Sequence, residues 1–556
     1  MTFRRSHIIL LIALLLSLSL SVTWAQPEFK HIVPSMDQSL PVNEIDRLYL
    51  DGQYALAYDE LAAYFNETNS VSAAQLQNFA LLHRLLDRGD GIEYLRLAYK
   101  YEPESQFTTL ALGTALMARD SLARAEQILR QAVSLDDKFG ESQIELAKCL
   151  RLQGKLDEAE NLLSSVINRD RSDGEAYVEL ARVYLDRGGY DDADKAARVL
   201  LDAEADFQFE PVLRERLQLL VNRRENARAV EIGRRYLAEY PKSEYASEVA
   251  ALLREIDPGE RYSADGVYVH DGYEGGQPYI DPSASMSVGQ RLTWHAKYGV
   301  IGLGYVTGEM AEGSYKGEPC WIGRYTARAS VPFVAIEDTF YAWIDKDLRY
   351  TRRLDMIYHE SELKSRKTLE NDYDRGISEI RVWEPSGYWW YDKLPAPPSL
   401  FDATSQMWYT QQLVMAGRSG ECNVSIDHTY ENTIINYDGP DGTMEFLGEE
   451  MPVVKLHGQM PYTAIAGLTG EFTGWYTKNH QALPAKAKFK IFIGSITIWL
   501  DSLEESDFGP LDMSTARTNR PQKHSLLAEP VLPLNSNTQP DSLQRSHDDR
   551  RMMPIE

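Results

Sequence analysis

The chain has 556 residues, 43% hydrophobic and 25% charged, with 58 Lys and Arg against 83 Asp and Glu and a formal charge of −25. That length supports two or three domains, each with its own core. The acidity repels nucleic acid and anionic lipid surfaces from the molecule as a whole, and three cysteines are too few for a disulfide scaffold.

Residues 1–25 read as a secretory signal. MTFRR supplies positive charge, Ile8 to Leu20 an apolar run, and Thr23-Trp24-Ala25 a cleavage site. The expected location is therefore the periplasm or cell envelope of a Gram-negative-type bacterium. No cysteine follows the apolar run, which argues against lipoprotein attachment. No later segment is apolar enough to span a bilayer once the signal is removed. Residues 26–39 read as a linker.

From 40 to 255 the pattern is helical and repetitive. Leu112-Gly113, Leu146-Ala147 and Leu180-Ala181 recur every 34 residues, as do Ala125-Glu126, Ala159-Glu160 and Ala193-Asp194. Small residues at these positions let paired helices approach closely, and Gly154 and Gly188 fall in the turns between them. KFGESQIELAKCLRLQGKLDEAENLLSSVINRD and the segment after it resemble the tetratricopeptide repeat. That resemblance implies a curved solenoid whose first helices line a groove for a protein partner. In the two best repeats the groove would present Glu145, Lys148, Arg151, Glu179 and Arg182. This mixed set does not match a clamp for a C-terminal carboxylate, so that ligand is not expected.

Composition changes across the linker at 256–286. Of ten tryptophans, all but Trp24 lie beyond it. Segments such as RLTWHAKYG, DTFYAWIDK and KFKIFIGSITIWLDS alternate and are rich in aromatic and β-branched residues. Gly, Pro, Asn and Asp clusters, YDGPDG among them, separate roughly ten strands over 287–505. One helix, Asp402 to Gly417, interrupts them, with Asp402 or Thr404 as its cap. The run GLG at Gly302–Gly304 invites comparison with a phosphate loop. No amphipathic helix follows it and its spacing is wrong, so it reads as a hairpin tip.

GQRLTWHAKYGVIGLGYVTGEM, followed in order by YTARASVPF, DTFYAWIDKDLRYTRRLDM, DATSQMWYTQQL and LPAKAKFKIFIGSITIWL, resembles the bacterial family known as domain of unknown function 3108. The likeness spans about 288–501. It implies an envelope-directed β domain, a strongly curved sheet or open barrel like those of lipoprotein carriers, and it implies no known activity. The expected fold class is thus multidomain α plus β: an N-terminal α-solenoid, then an antiparallel β domain with one helix. Residues 506–556 are polar and read as a disordered tail.

For chemistry, the histidines show no ligand spacing, no G-x-S-x-G elbow is present, and no cofactor or metal is expected. Trp389 and Trp390 are strand neighbours and point to opposite faces. Trp294, Phe340, Trp343 and Trp390 are the candidates to line a cavity for an apolar or amphipathic ligand. Cys320 and Cys422 are candidates for a disulfide in an oxidising compartment. These features favour an exported, non-enzymatic binding or assembly protein of the envelope. The first alternative is a hydrolase acting on envelope glycans or lipids. The second is an outer-membrane barrel, which Lys297, Arg324, Arg328 and Lys490 oppose by interrupting the strands.

Overall fold

A computed structural model describes residues 43–67, 71–171, 173–206, 210–257, 288–299, 301–331, 334–346, 350–360, 363–397, 399–402, 404–426, 429–460, 470–490 and 495–508. The signal, the 26–39 linker, most of the linker before the sheet and nearly all of the tail lie outside the described residues.

Among the described residues the first half is a run of thirteen helices: α1 (Glu44–Leu50), α2 (Tyr54–Glu67), α3 (Ala73–Leu85), α4 (Ile92–Tyr101), α5 (Gln106–Ala118), α6 (Leu122–Leu135), α7 (Gly140–Leu152), α8 (Leu156–Arg169), α9 (Gly174–Arg187), α10 (Tyr190–Asp206), α11 (Glu210–Asn222), α12 (Asn226–Glu239) and α13 (Ala246–Ile256). Their starts follow from capping. Asn43 accepts from Asp46 N, Ser72 and Gln75 form a reciprocal box, and Asp173 accepts from Ala176 N. Pairing follows from small residues. Ala125, Ala147, Ala159 and Ala181 are fully buried where neighbouring helices meet. In α8 the buried positions Ala159, Leu163 and Val166 form one stripe at helical spacing.

The second half is one antiparallel sheet: β1 (Gln290–Tyr298), β2 (Ile301–Tyr315), β3 (Glu318–Val331), β4 (Val334–Asp345), β5 (Thr351–Glu360), β6 (Leu363–Asp372), β7 (Ile377–Trp383), β8 (Trp389–Pro395), β9 (Gly420–Ile426), β10 (Thr429–Phe446), β11 (Glu449–Met460), β12 (Gly470–Thr477), β13 (Pro484–Lys490) and β14 (Ser495–Glu505). The order is β8-β7-β6-β5-β4-β3-β2-β1-β14-β13-β12-β11-β10-β9. The sheet has fourteen strands rather than ten, and it is not closed into a barrel, which removes the outer-membrane reading. YDGPDG does not separate two strands. It lies inside β10, where register shifts between Tyr437 and Gly439 and between Pro440 and Thr443 absorb its glycines and proline.

The GLG run is also placed differently. β1 ends at Tyr298 and β2 begins at Ile301, so the turn is at Gly299 and Gly302–Gly304 belong to β2. Gly304 has φ +154°, and a Cβ there would collide with the Arg328 carbonyl of β3 and come within 2.8 Å of Ala329 Cα. Glycine is required by close strand approach, not by a tip.

The sheet curls strongly. Thr351 N in β5 donates to Leu400 O at 2.6 Å, while the next residue, Phe401, donates from N to Asn423 O in β9 at 2.7 Å. One two-residue segment thus touches strands ten places apart in the sheet order. The helix α14 (Gln406–Ala416) follows it, and Trp408 is fully buried. Asp402 accepts from the N–H groups of Thr404 and Ser405 at 2.8 and 3.0 Å, holding the start of this helix. Leu292, Trp294, Met310, Tyr325, Phe340, Leu369 and Ile380 form one core cluster with Trp408.

Candidate partner-binding groove

The first helices of successive pairs build one face, and the β7–β8 hairpin lies in it. Trp389 stacks on Tyr49 of α1 with centroids 4.3 Å apart and planes 3° from parallel. Its indole Nε1 donates to Asp46 Oδ1 at 2.8 Å. Asn78 of α3 grips the hairpin main chain from both sides: its Nδ2 donates to Gly387 O at 2.7 Å, and its Oδ1 accepts from Trp389 N at 3.0 Å. The Tyr388 hydroxyl meets Ser105 Oγ at 2.8 Å and Thr108 Oγ1 at 2.9 Å, both from α5 or its cap. Trp390 points the other way, between Phe107 and Phe139. Burial raises the Asp46 carboxyl above its ordinary range, against the indole hydrogen bond of Trp389 that lowers it.

The base of the hairpin is fixed by buried charge. Arg381 of β7, 1% exposed, binds Glu370 and reaches Tyr54 Oη at 3.3 Å. Burial alone would raise the Glu370 carboxyl, but Arg381 and Lys316 outweigh it and hold the group down at about 2. Arg353 of β5 binds Asp355 through two hydrogen bonds at 2.7 and 3.0 Å and Asp51 at 3.1 Å. Gly52, at φ +70°, lies against the Arg381 guanidinium, where a Cβ would collide with Nη1. At the far end of the solenoid, Lys242 Nζ donates to Tyr373 O at 2.8 Å. The solenoid therefore clasps edge strand β8 and its neighbours, covering main-chain groups that an open sheet edge would otherwise present.

Beyond Phe139 the groove is lined by the charged residues singled out in the sequence. The structure places all five in two ion-paired groups along the groove. Lys148 bridges Glu145 (2.6 Å) and Glu175, Arg151 bridges Glu179 (3.1 Å) and Asp186 (2.8 Å), and Arg182 bridges Glu179 (2.6 Å) and Glu215 (2.5 Å). Glu179 is 2% exposed and Glu145 7%. Burial raises the Glu145 carboxyl despite Lys148. For the Lys148 ammonium, burial works the other way, yet Glu175 and Glu145 together hold it above its usual range. Two deeply set carboxylates thus organise three more accessible cations.

The four cavity candidates do not converge. Trp294 and Phe340 join the inner core cluster, and Trp294 Nε1 donates to Pro484 O at 2.9 Å. Trp343 packs with Tyr315, Cys320 and Ile322 in a different cluster, and Trp390 faces the solenoid. Helix α14 occupies the concavity these rings were expected to line. Cys320 and Cys422 are free, buried and in different clusters, so the expected disulfide is not formed. A cavity of about 330 Å³ opens instead in the solenoid, beside Leu201, Leu219 and Arg216. Among the described residues no group of His, Cys, Asp and Glu is arranged to hold a metal, and no helix is long and apolar enough to cross a membrane.

A tetratricopeptide repeat family model matches residues 116–177 and 150–214. The central helices are similar to tetratricopeptide repeats. The matched residues do not reach the sheet. Similar solved structures include a tetratricopeptide repeat protein from Parabacteroides merdae, with 16% identity over 38% of this chain and 79% of that one and a TM-score of 0.32. PilW, described as a widely conserved type IV pilus biogenesis factor, has 17% identity over 37% of this chain and 94% of its own, TM-score 0.32. YrrB, described as a TPR protein with an unusual peptide-binding site, has 20% identity over 29% and 80%, TM-score 0.25. No curated protein matches the chain.

Asn78, Asp46, Tyr49, Arg353 and Arg381 were missed in the sequence. The paired tryptophans after EPSG were the one available signal that this hairpin does more than close a sheet.

Proposed function

We propose that the chain is an exported scaffold of a bacterial cell envelope, whose N-terminal repeats hold the β domain and whose central repeats dock a protein partner. The observation that carries this reading is the Asn78 clamp. It engages main-chain groups of a segment lying across the first helices, the way a groove holds an extended chain irrespective of its side chains. The same groove continues along α7, α9 and α11, where Arg151 and Arg182 bridge buried Glu179 to more exposed acids. A partner segment carrying its own carboxylates can exchange with Asp186 or Glu215 without stripping Glu179 of its counter-charge.

The resemblance to domain of unknown function 3108 and the N-terminal signal pattern support export and an envelope role. A lipid-sized ligand inside the sheet would have to displace the fully buried Trp408.

The test is site-specific photocrosslinking in cells producing the full chain. A photoreactive residue at Arg182, in the groove, should yield a defined protein adduct, and one at Arg130, on α6, should not. Arg151→Glu should abolish the adduct formed from a neighbouring groove position. Equal adducts from both faces, or none from the groove, would refute partner docking there.

A further inference from the structure

The half of the sheet remote from the solenoid carries a continuous row of aromatic and basic side chains on its outer face. Strand register sets it. Tyr305 of β2 pairs with His295 of β1, which pairs with Trp499 of β14. Trp499 pairs with Lys486 of β13, Lys486 with Trp475 of β12, and Trp475 with Lys455 of β11. Directly opposed residues share a face, so all six project from one side. Their neighbours Trp294, Ile496, Leu500, Ala485 and Tyr476 are buried on the other. At about 4.8 Å per strand the row is about 24 Å long.

The rings and cations are arranged as one surface. His295 stacks on Tyr305 at 4.4 Å and lies 5.0 Å from Trp499. Lys297 Nζ sits 4.5 Å from the Trp499 centroid, and Lys486 Nζ 5.3 Å from that of Trp475. Lys488, two residues on from Lys486 and on the same face, is exposed. Among the described residues, no carboxylate lies within ion-pair distance of Lys297, Lys486 or Lys488. The nearby acids already have partners or stand at the border. Asp438 binds His457 at 2.8 Å and pairs with Lys455 of the row at 4.0 Å, Asp441 accepts from Trp475 Nε1 at 2.8 Å, and Glu471 binds Lys490 at 3.0 Å. Asp501, next to His295, is exposed. In a chain of charge −25, this face therefore holds three cations, Lys297, Lys486 and Lys488, that no carboxylate neutralises within ion-pair distance.

We propose that this row is a binding site for a linear, carboxylate-bearing polysaccharide. The strand repeat is close to the advance of one sugar unit in an extended chain. Half-exposed indole and phenol faces accept the apolar C–H faces of sugar rings, and the interleaved ammonium groups pair with uronate carboxylates. A bilayer surface fits less well, because the rings are partly buried and cannot insert. Nucleic acid fits less well because its phosphates follow one another more densely than the lysines of this face. This site is separate from the repeat groove and does not depend on what docks there.

The experiment is tryptophan fluorescence titration of the full chain with polygalacturonate. Saturable quenching that weakens as salt is raised is expected. Lys486→Glu/Lys488→Glu should weaken binding by at least about tenfold, with unchanged thermal melting. Lys486→Ala/Lys488→Ala serves if the reversed pair fails to fold, and should show a smaller loss in the same direction. Lys100→Glu, an exposed position on α4, should leave binding unchanged. The proposal is overturned if the wild-type chain does not bind polygalacturonate, or if Lys100→Glu weakens binding as much as the sheet variants. Binding only to oligothymidylate, or only to phosphatidylglycerol vesicles, overturns it equally.

Discussion

The Tyr49 ring lies flat on Trp389, 4.3 Å between centroids, although one residue opens the solenoid and the other sits in the second half of the chain. Trp389 and Trp383 belong to the same core cluster as the repeats. The two halves therefore share a core and should unfold as one unit. Trp389→Ala removes a ring that is 2% exposed and leaves Asp46 without its indole donor. We expect a loss of about 3–5 kcal/mol, read by urea denaturation. A single transition should be seen by both helical and tryptophan signals. Two separate transitions in the wild-type chain would contradict the shared core.

Asn78 makes a sharper point, because its two hydrogen bonds go to main chain and not to side chains. Asn78→Ala leaves the Gly387 carbonyl and the Trp389 N–H without their partner in a buried setting, at a cost of about 1–3 kcal/mol. The decisive readout is hydrogen exchange at the Trp389 amide, which should quicken well beyond the change in global stability. Unchanged protection would mean the clamp contributes nothing to holding the hairpin.

Gly302 and Gly304 look equivalent in the sequence and are not. Gly304→Ala forces a side chain into the Arg328 carbonyl at φ +154° and should cost about 1–3 kcal/mol. Gly302 is exposed, its nearest neighbour to a Cβ being His295 Nε2 at 3.6 Å. Gly302→Ala should fall within about 0.5 kcal/mol of wild type. Equal effects would remove close strand approach as the reason for glycine here.

This pair also shows what could be read in advance. Periodicity revealed the repeats because each helix pair solves the same packing problem with the same small residues, Ala125, Ala159 and their counterparts. The sheet was legible as a sheet, since alternation is local. Its strand count was not, because β10 carries YDGPDG through two bulges and no local rule separates a bulge from a turn. The groove charges were legible because they repeat with the helices. Asn78, Tyr49 and Arg381 were not, because their roles arise only when the β7–β8 hairpin enters the solenoid, a contact between segments more than three hundred residues apart. The same reason undid the cavity. Trp343 and Trp390 sit on strands, as expected, but which face is filled, and by what, was decided by α14 and by the repeats.

Glu384 begins the turn of that hairpin, its main chain bonded to Tyr388 O at 3.0 Å and to Gly387 N at 2.8 Å. Burial pushes its carboxyl up from the ordinary 4.5 to about 7. The folded state then holds a proton that the unfolded chain has already released. The associated stability is fully present below about pH 4.5, declines as pH rises, and is gone once pH passes about 7. Wild-type stability should fall across this window, and Glu384→Gln, which cannot ionise, should lack that part of the fall. Other groups titrate in both proteins and cancel in the comparison. The measurement is the urea midpoint of each protein at several pH values between about 5 and 8. The variant should match wild type at the acid end and exceed it at the alkaline end. Parallel curves would show that Glu384 ionises in the folded hairpin as freely as in the unfolded chain, and that docking in the groove does not depend on its proton.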